Sequence, residues 1–202
     1  MTGIRERFNK WKEGRNKWQK AGDMVFWVLL VLLLIPGPRK TIITGLNSVT
    51  LHLKNPRLKT EEKHVQLGAE DFQWSMKDAE GTSFRLEDFK GEVIFLNYWA
   101  TWCPPCVAEL PEIQKAFDKH GDKVRFLLLT LENPARVDAF MARHDYKLPV
   151  YYGNSDLPDK LKARGIPTTF IIDRNGCIVS RKTGAANWDS RATDRIFEAL
   201  LK

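Results

Sequence analysis

Hydrophobic and polar residues alternate along this chain in ways that change character three times. Residues 1–23 are polar and basic. Met24 to Ile35 (MVFWVLLVLLLI) is an unbroken run of 12 apolar residues, stopped by Pro36-Gly37-Pro38. Residues 41–60 alternate only weakly, and Asn55-Pro56 with the polar Lys59-to-Lys63 stretch marks a boundary. Beyond it the pattern is that of a folded domain. Phe72–Met76 and Thr82–Leu86 flank a turn signal at Lys77–Gly81 and predict a hairpin. Val93–Trp99 is β-branched, aromatic and mostly apolar, which predicts a strand buried on both faces. Val107, Leu110, Ile113 and Phe117 recur at spacings of three and four, so residues 105–119 predict a helix with one buried face. Val124–Leu131 predicts a second buried strand, and Pro134 opens a helix carrying Val137, Phe140 and Met141. A short strand at Val150–Tyr152 and a short helix at Leu157–Arg164 follow. Pro167–Asp173 and Cys177–Arg181 predict strands joined across Asn175-Gly176 as a tight hairpin. Ile196, Phe197 and Leu200 give a terminal helix its apolar side. Strands alternating with helices imply βαβ units, hence an α/β fold with a mixed sheet covered on both faces.

Charge sharpens the division. The formal net charge is +7. Residues 1–60 hold 12 Lys/Arg against 3 Asp/Glu, whereas residues 61–202 hold 20 against 22. The surplus therefore lies outside the folded part, which argues against nucleic acid as a partner.

Three readings compete for residues 24–35. A cleaved secretory signal fits the length but not the long preceding segment or the missing A-x-A-like site. A buried core helix would be expected to show a polar face. An uncleaved signal-anchor fits best, although the run is shorter than the roughly 20 residues of a typical span. The expected organisation is a basic cytoplasmic segment over 1–23, a single transmembrane signal-anchor over 24–38, an interfacial linker over 39–64 and a domain over 65–202. The greater basic count on the N-terminal side places the domain outside the cytoplasm.

The candidate chemistry is Trp102-Cys103-Pro104-Pro105-Cys106, directly after a predicted strand and at the start of a predicted helix. A helix N-terminus offers unpaired N–H groups and partial positive charge, both of which stabilise a thiolate. The thiolate is the attacking species in disulfide exchange. Cys103 comes first and is expected to be the more exposed of the two, hence the nucleophile; Cys106, one turn inward, is expected to resolve the mixed disulfide. A zinc site would need a second ligand pair, and Cys177 with His52, His64, His120 and His144 makes none, so no metal is expected. Cys177 reads as an inert thiol. No flavin or nicotinamide fingerprint occurs, so the redox-active Cys103–Cys106 disulfide is the only redox group expected.

Phe95-Leu96-Asn97-Tyr98-Trp99-Ala100-Thr101-Trp102-Cys103-Pro104-Pro105-Cys106 resembles the active-site strand and turn of thioredoxin-like proteins. Gly165-Ile166-Pro167-Thr168-Thr169-Phe170-Ile171-Ile172-Asp173 resembles their cis-proline loop. The resemblance covers residues 65–202 and is strongest to the membrane-anchored TlpA/ResA group and the cytochrome c maturation reductases. It implies a thioredoxin-like fold and a protein-disulfide reductase in the inner membrane, its domain facing the periplasm. Implied partners are oxidised envelope proteins such as apocytochrome c, and a membrane protein that donates electrons. Pro167 would be cis, with the Ile166 backbone and Thr168 beside it contacting the substrate chain, and Trp102 would shape the docking surface. Glu109, three residues after Cys106, matches a glutamate implicated in proton handling; position alone favours a solvated helix carboxylate, and the resemblance brings the two readings level. Asn97 departs from the buried aspartate of many thioredoxins and cannot take a proton, which leaves that task to Glu109.

Two alternatives stay open. A peroxiredoxin-type peroxidase shares the fold, but its Thr-x-x-Cys pattern fails here, since Thr101 precedes Cys103 by two residues and Cys106 by five. A non-catalytic thioredoxin-like binding module would have no use for an intact dithiol.

Overall fold

A computed structural model describes residues 21–28, 64–153 and 156–202. The chain divides into two units, Met1–Ile43 and Thr44–Lys202. In the first, residues 21–28 are helical, with Met24, Val25, Phe26, Trp27 and Val28 exposed. The rest of the expected anchor, and the linker over 39–63, lie outside the described residues. Among the described residues no helix is long and apolar enough to cross a membrane.

The second unit is built on one eight-stranded sheet. Its strands are β1 (Val65–Gln66), β2 (Ser75–Lys77), β3 (Ser83–Arg85), β4 (Val93–Tyr98), β5 (Val124–Thr130), β6 (Val150–Gly153), β7 (Thr168–Ile172) and β8 (Cys177–Thr183), in the order β1-β8-β7-β4-β5-β6-β2-β3. β4, β5 and β6 run parallel, and β7 and β8 extend the sheet antiparallel. The helices are α1 (Ala69–Phe72), α2 (Pro104–His120), α3 (Pro134–Arg143) and α4 (Arg191–Leu200). This is the thioredoxin-like arrangement, with an added N-terminal hairpin.

The two-residue period of β4 sorts its side chains into two cores. Val93, Phe95 and Trp99 join Leu110 and Ile113 of α2, Val137 and Met141 of α3, and Ile196 and Phe197 of α4. Ile94, Leu96 and Tyr98 join Phe72, Trp74, Met76, Leu86 and Phe89 from the N-terminal elements. Asn97 shares the parity of Phe95 and Trp99, so a polar side chain interrupts the apolar row beneath α2.

Some elements differ from expectation. Phe72 ends a helix instead of starting a strand: the Asp71 carboxylate accepts the Gly68 N–H at 2.7 Å and closes a helical turn that buries Phe72. The strand begins only at Ser75. β1 lacks any sequence signal beyond Val65 and forms by pairing with β8. Leu157–Arg164 yields only a 3₁₀ turn at Asp159–Leu161, with Lys162 already extended. At the β7–β8 hairpin the turn is organised by Asp173, whose carboxylate accepts the N–H groups of Asn175 and Cys177. Gly176 sits there at φ +77°, a conformation that favours glycine.

Candidate active site

The end of β4 and the start of α2 bring the two motif cysteines together. Cys103 is the N-cap of α2, and Pro104 and Pro105 occupy its first two positions, where a missing N–H costs nothing. The Cα atoms of Cys103 and Cys106 are 5.3 Å apart and the sulfurs are joined in a disulfide. The Cys103 Sγ also accepts the Cys106 N–H at 3.3 Å. The two prolines supply no such donor.

Both cysteines of this turn are nearly covered. Cys103 is more exposed than Cys106, yet only 4% against 0%. With the disulfide closed, its sulfur lies over the helix N-terminus within the core cluster of Trp99 and Ala100 instead of facing solvent. The exposed residue of the motif is Trp102, at 62%. With Leu131, also exposed, it edges an apolar cleft of about 380 Å³ whose walls include Trp99, Ala100, Leu157, Gly165 and Ile166. The Ile166–Pro167 peptide bond is cis. The Thr168 side chain is fully buried, and its hydroxyl donates to the Gly165 carbonyl at 2.7 Å. It braces the loop before the cis-proline.

Glu109 is not a solvated carboxylate. It is 1% exposed, on the α2 face that also carries Cys106 one turn earlier. Three neutral donors hold it. Asn97 Nδ2 donates to Oε1 at 2.9 Å, while the Ala186 N–H and the Trp188 indole Nε1–H donate to Oε2 at 3.1 and 3.0 Å. Burial pushes the carboxyl up to about 7, against the opposing pull of these hydrogen bonds and of the Lys182 charge. Asn97 Nδ2 also donates to Thr169 Oγ1 at 2.9 Å, and its Oδ1 is buried without a partner. Trp188 is fixed edge-to-face against Phe95, ring centres 4.9 Å apart.

Two residues of this site carry no readable signal in the sequence. Trp188 lies 79 positions from Glu109 and is brought to it by the chain between β8 and α4. Glu132, just beyond β5, accepts from the Thr101 N–H at 2.5 Å and from its hydroxyl at 2.8 Å, and pairs with Arg136 at 3.4 Å. It ties down the turn that presents Trp102. Cys177 is half-buried, on β8, and its thiol is raised by burial.

A Redoxin family model matches residues 65–201. The thiol-disulfide oxidoreductase ResA of Bacillus thuringiensis subsp. konkukian is 29% identical over 170 residues, covering 82% of this chain and 90% of that protein. ResA of Geobacillus thermodenitrificans is 35% identical over 132 residues, covering 62% and 74%. Among solved structures, StoA from Bacillus subtilis superposes with a TM-score of 0.51 at 27% identity, over 62% of this chain and 93% of that one. A putative thiol-disulfide oxidoreductase from Bacteroides vulgatus gives 0.55 at 28% identity, over 63% and 91%.

Proposed function

The chain belongs to the Redoxin family, within its TlpA/ResA group, and is a thiol–disulfide oxidoreductase; we propose that it works as a reductase of protein disulfides outside the cytoplasm, through Cys103 and Cys106. The observation that carries this reading is the disulfide between these cysteines at the N-terminus of α2, with a buried carboxyl one turn further on.

In the reduced enzyme the Cys103 thiolate attacks one sulfur of a substrate disulfide. A mixed disulfide forms and the other substrate sulfur leaves as a thiolate, which takes a proton. Cys106, deprotonated, then attacks the Cys103 sulfur. The substrate's second thiolate departs, and the enzyme is left with the Cys103–Cys106 disulfide. Two electrons have passed to the substrate. Glu109 is the group placed to accept the Cys106 proton: it shares the buried helix face, and a carboxyl poised near 7 exchanges protons at neutral pH. A membrane electron carrier then restores the dithiol.

The reducing direction has its own support. A thiolate at a helix N-terminus is stabilised by the N–H groups aimed at it. Here Cys106 alone of residues 104–106 offers one. The Cys103 thiolate is therefore less stabilised than in strong oxidants, which favours the disulfide and a lower potential. Oxidised envelope proteins, apocytochrome c among them, are the proposed substrates, with residues 24–38 as the anchor that keeps the domain beside them. The exposed Trp102 and the cleft beside it, together with the cis-Pro167 loop, form the docking surface for the chain around the target cysteine.

The test is insulin reduction by the full-length chain in detergent with dithiothreitol, alongside Cys103→Ser. Loss of activity in the variant is expected; an unchanged rate would overturn the reading. A measured potential near −120 mV, the value of a strong oxidant, would overturn the reducing direction. Cys106→Ala, which cannot release a mixed disulfide, identifies the substrate by covalent trapping.

A further inference from the structure

We infer that Asn97 is the positioning residue that serves both protonation states of Glu109, its side-chain amide donating to the carboxylate and turning over to accept from the carboxylic acid. The inference rests on the reading of Glu109 as the group that takes up and releases the proton.

The hydrogen-bond inventory around Glu109 forces the question. A carboxylate only accepts, whereas a carboxylic acid must also donate. Oε2 faces a backbone N–H and an indole N–H, neither of which can accept. A proton on Glu109 therefore belongs on Oε1, where the facing group is the Asn97 amide. As it stands, Nδ2 would meet the new O–H head on and leave two donors without an acceptor in a dry core. Such orphans are costly.

Asn97 can resolve this by rotation about its last side-chain bond, which is broad and roughly two-fold. Its amide is held at one end only. Nδ2 makes both of its bonds on one side, to Glu109 and Thr169, while Oδ1 on the other side is buried with no partner. Turned over, Oδ1 would accept from Glu109 Oε1–H and from the Thr169 hydroxyl, which needs only to swing its hydrogen from acceptor to donor geometry. Both states then contain two bonds and one idle amide end. Neither aspartate nor an apolar residue at position 97 could do this. Among the other groups, Lys182 on β8 acts on Glu109 with a positive charge, the Cys103 and Cys106 sulfurs of α2 are tied up in the disulfide, and Thr169 of β7 and Trp188 before α4 are neutral.

The test is nuclear magnetic resonance on the oxidised full-length chain in detergent micelles, with ¹³C-glutamate and ¹³C,¹⁵N-asparagine labels, titrated from pH 9 to pH 5. The Asn97 Cγ and Nδ2 shifts are expected to move with the midpoint of the Glu109 Cδ. Below that midpoint the Overhauser contacts from the Asn97 amide protons to the Thr169 side chain should disappear. Amide contacts that persist on both sides of the midpoint would overturn the inference, as would a Glu109 that keeps its charge down to pH 5. Repeating the titration on the reduced chain separates the two claims. An identical midpoint there would remove the proton-handling reading of Glu109 and leave the amide reversal standing.

Discussion

Replacing Glu109 by glutamine removes the ability to ionise and keeps the shape and hydrogen-bonding capacity of the side chain. Its Oε1 can take the Ala186 and Trp188 donors, and its Nε2 faces Asn97, whose amide must then present Oδ1. The effect on stability follows from the position of the carboxyl. Burial raises it from 4.5 to about 7 in the native protein. The unfolded chain, with its lower value, therefore gives up this proton first as pH rises. Wild-type stability from this group is complete below pH 4.5, declines through the interval up to about 7, and is flat above it. At about 1.4 kcal/mol for each pH unit of displacement, the loss is on the order of 3 kcal/mol. The side chain is almost wholly buried, so solvent screening does not reduce this much. Glu109→Gln has no proton to lose. Urea unfolding of the oxidised full-length chain and its variant, followed by tryptophan fluorescence at pH 4.5, 6 and 8, measures the difference through the midpoints. Near-equal stabilities are expected at pH 4.5, with the variant ahead by a few kcal/mol at pH 8 and slower in disulfide reduction. Parallel stability curves across that range would refute the argument, because they would mean that ionised Glu109 is not disfavoured in the fold.

Trp188→Phe retains the ring against Phe95 and deletes one donor to Glu109 Oε2; the carboxylate loses about 1.5–3 kcal/mol of stabilisation, so the Glu109 midpoint, read by ¹³C shifts, should rise above the wild-type value. Trp102→Ala strips an exposed anchor from the cleft; KM for a protein disulfide should rise about fivefold or more, as for loss of a hot-spot contact worth about 1 kcal/mol, while the reduction potential stays unchanged. Glu132→Ala frees the Thr101 N–H and hydroxyl; thermal unfolding should show a loss of about 1–2 kcal/mol, with the same rise in KM because the Trp102 turn is no longer tied.

Much of the fold and the reacting pair could be read from local pattern, because both depend on short-range features. β4 declares itself by a run of β-branched and aromatic residues, and α2 by a cysteine cap, two prolines at its first turn and a three-to-four spacing. The buried face of α2 was nevertheless misplaced by part of a turn. Val107 and Phe117 are only half-buried, and Cys106, Glu109, Leu110, Ile113 and Ala116 face inward. Helical spacing alone already puts 106, 109, 110 and 113 on one side, so burial of Glu109 was legible to anyone willing to seat an acid on an apolar stripe. What makes that seat tolerable was not legible. Its donors come from β4, from the segment after β8 and from Trp188, and no short-range rule pairs residues so far apart. How deeply Thr168 and Cys103 are buried was not legible for the related reason that side-chain direction at a loop is set by packing across the sheet.

The arrangement around Glu109 is difficult to explain as scaffolding. An apolar row on β4 is interrupted at Asn97, an indole is turned so that its N–H reaches a carboxyl, and a backbone N–H joins it, all within a core otherwise filled by Phe95, Leu110 and Ile113. A leucine or methionine at position 109 would fill such a space without unmet hydrogen bonds, and glutamine would satisfy the donors without the penalty of ionisation. A group that changes its charge, as proposed for Glu109, accounts for both the donors and the penalty. On the mechanism proposed above, the partner for such a group is Cys106 on the same helix face, which surrenders its proton before attacking the Cys103 sulfur and takes it back when the disulfide opens. On the proposed mechanism the stability lost at neutral pH is the cost of keeping a carboxyl for its proton, a cost that builds from pH 4.5 to about 7 and holds above it.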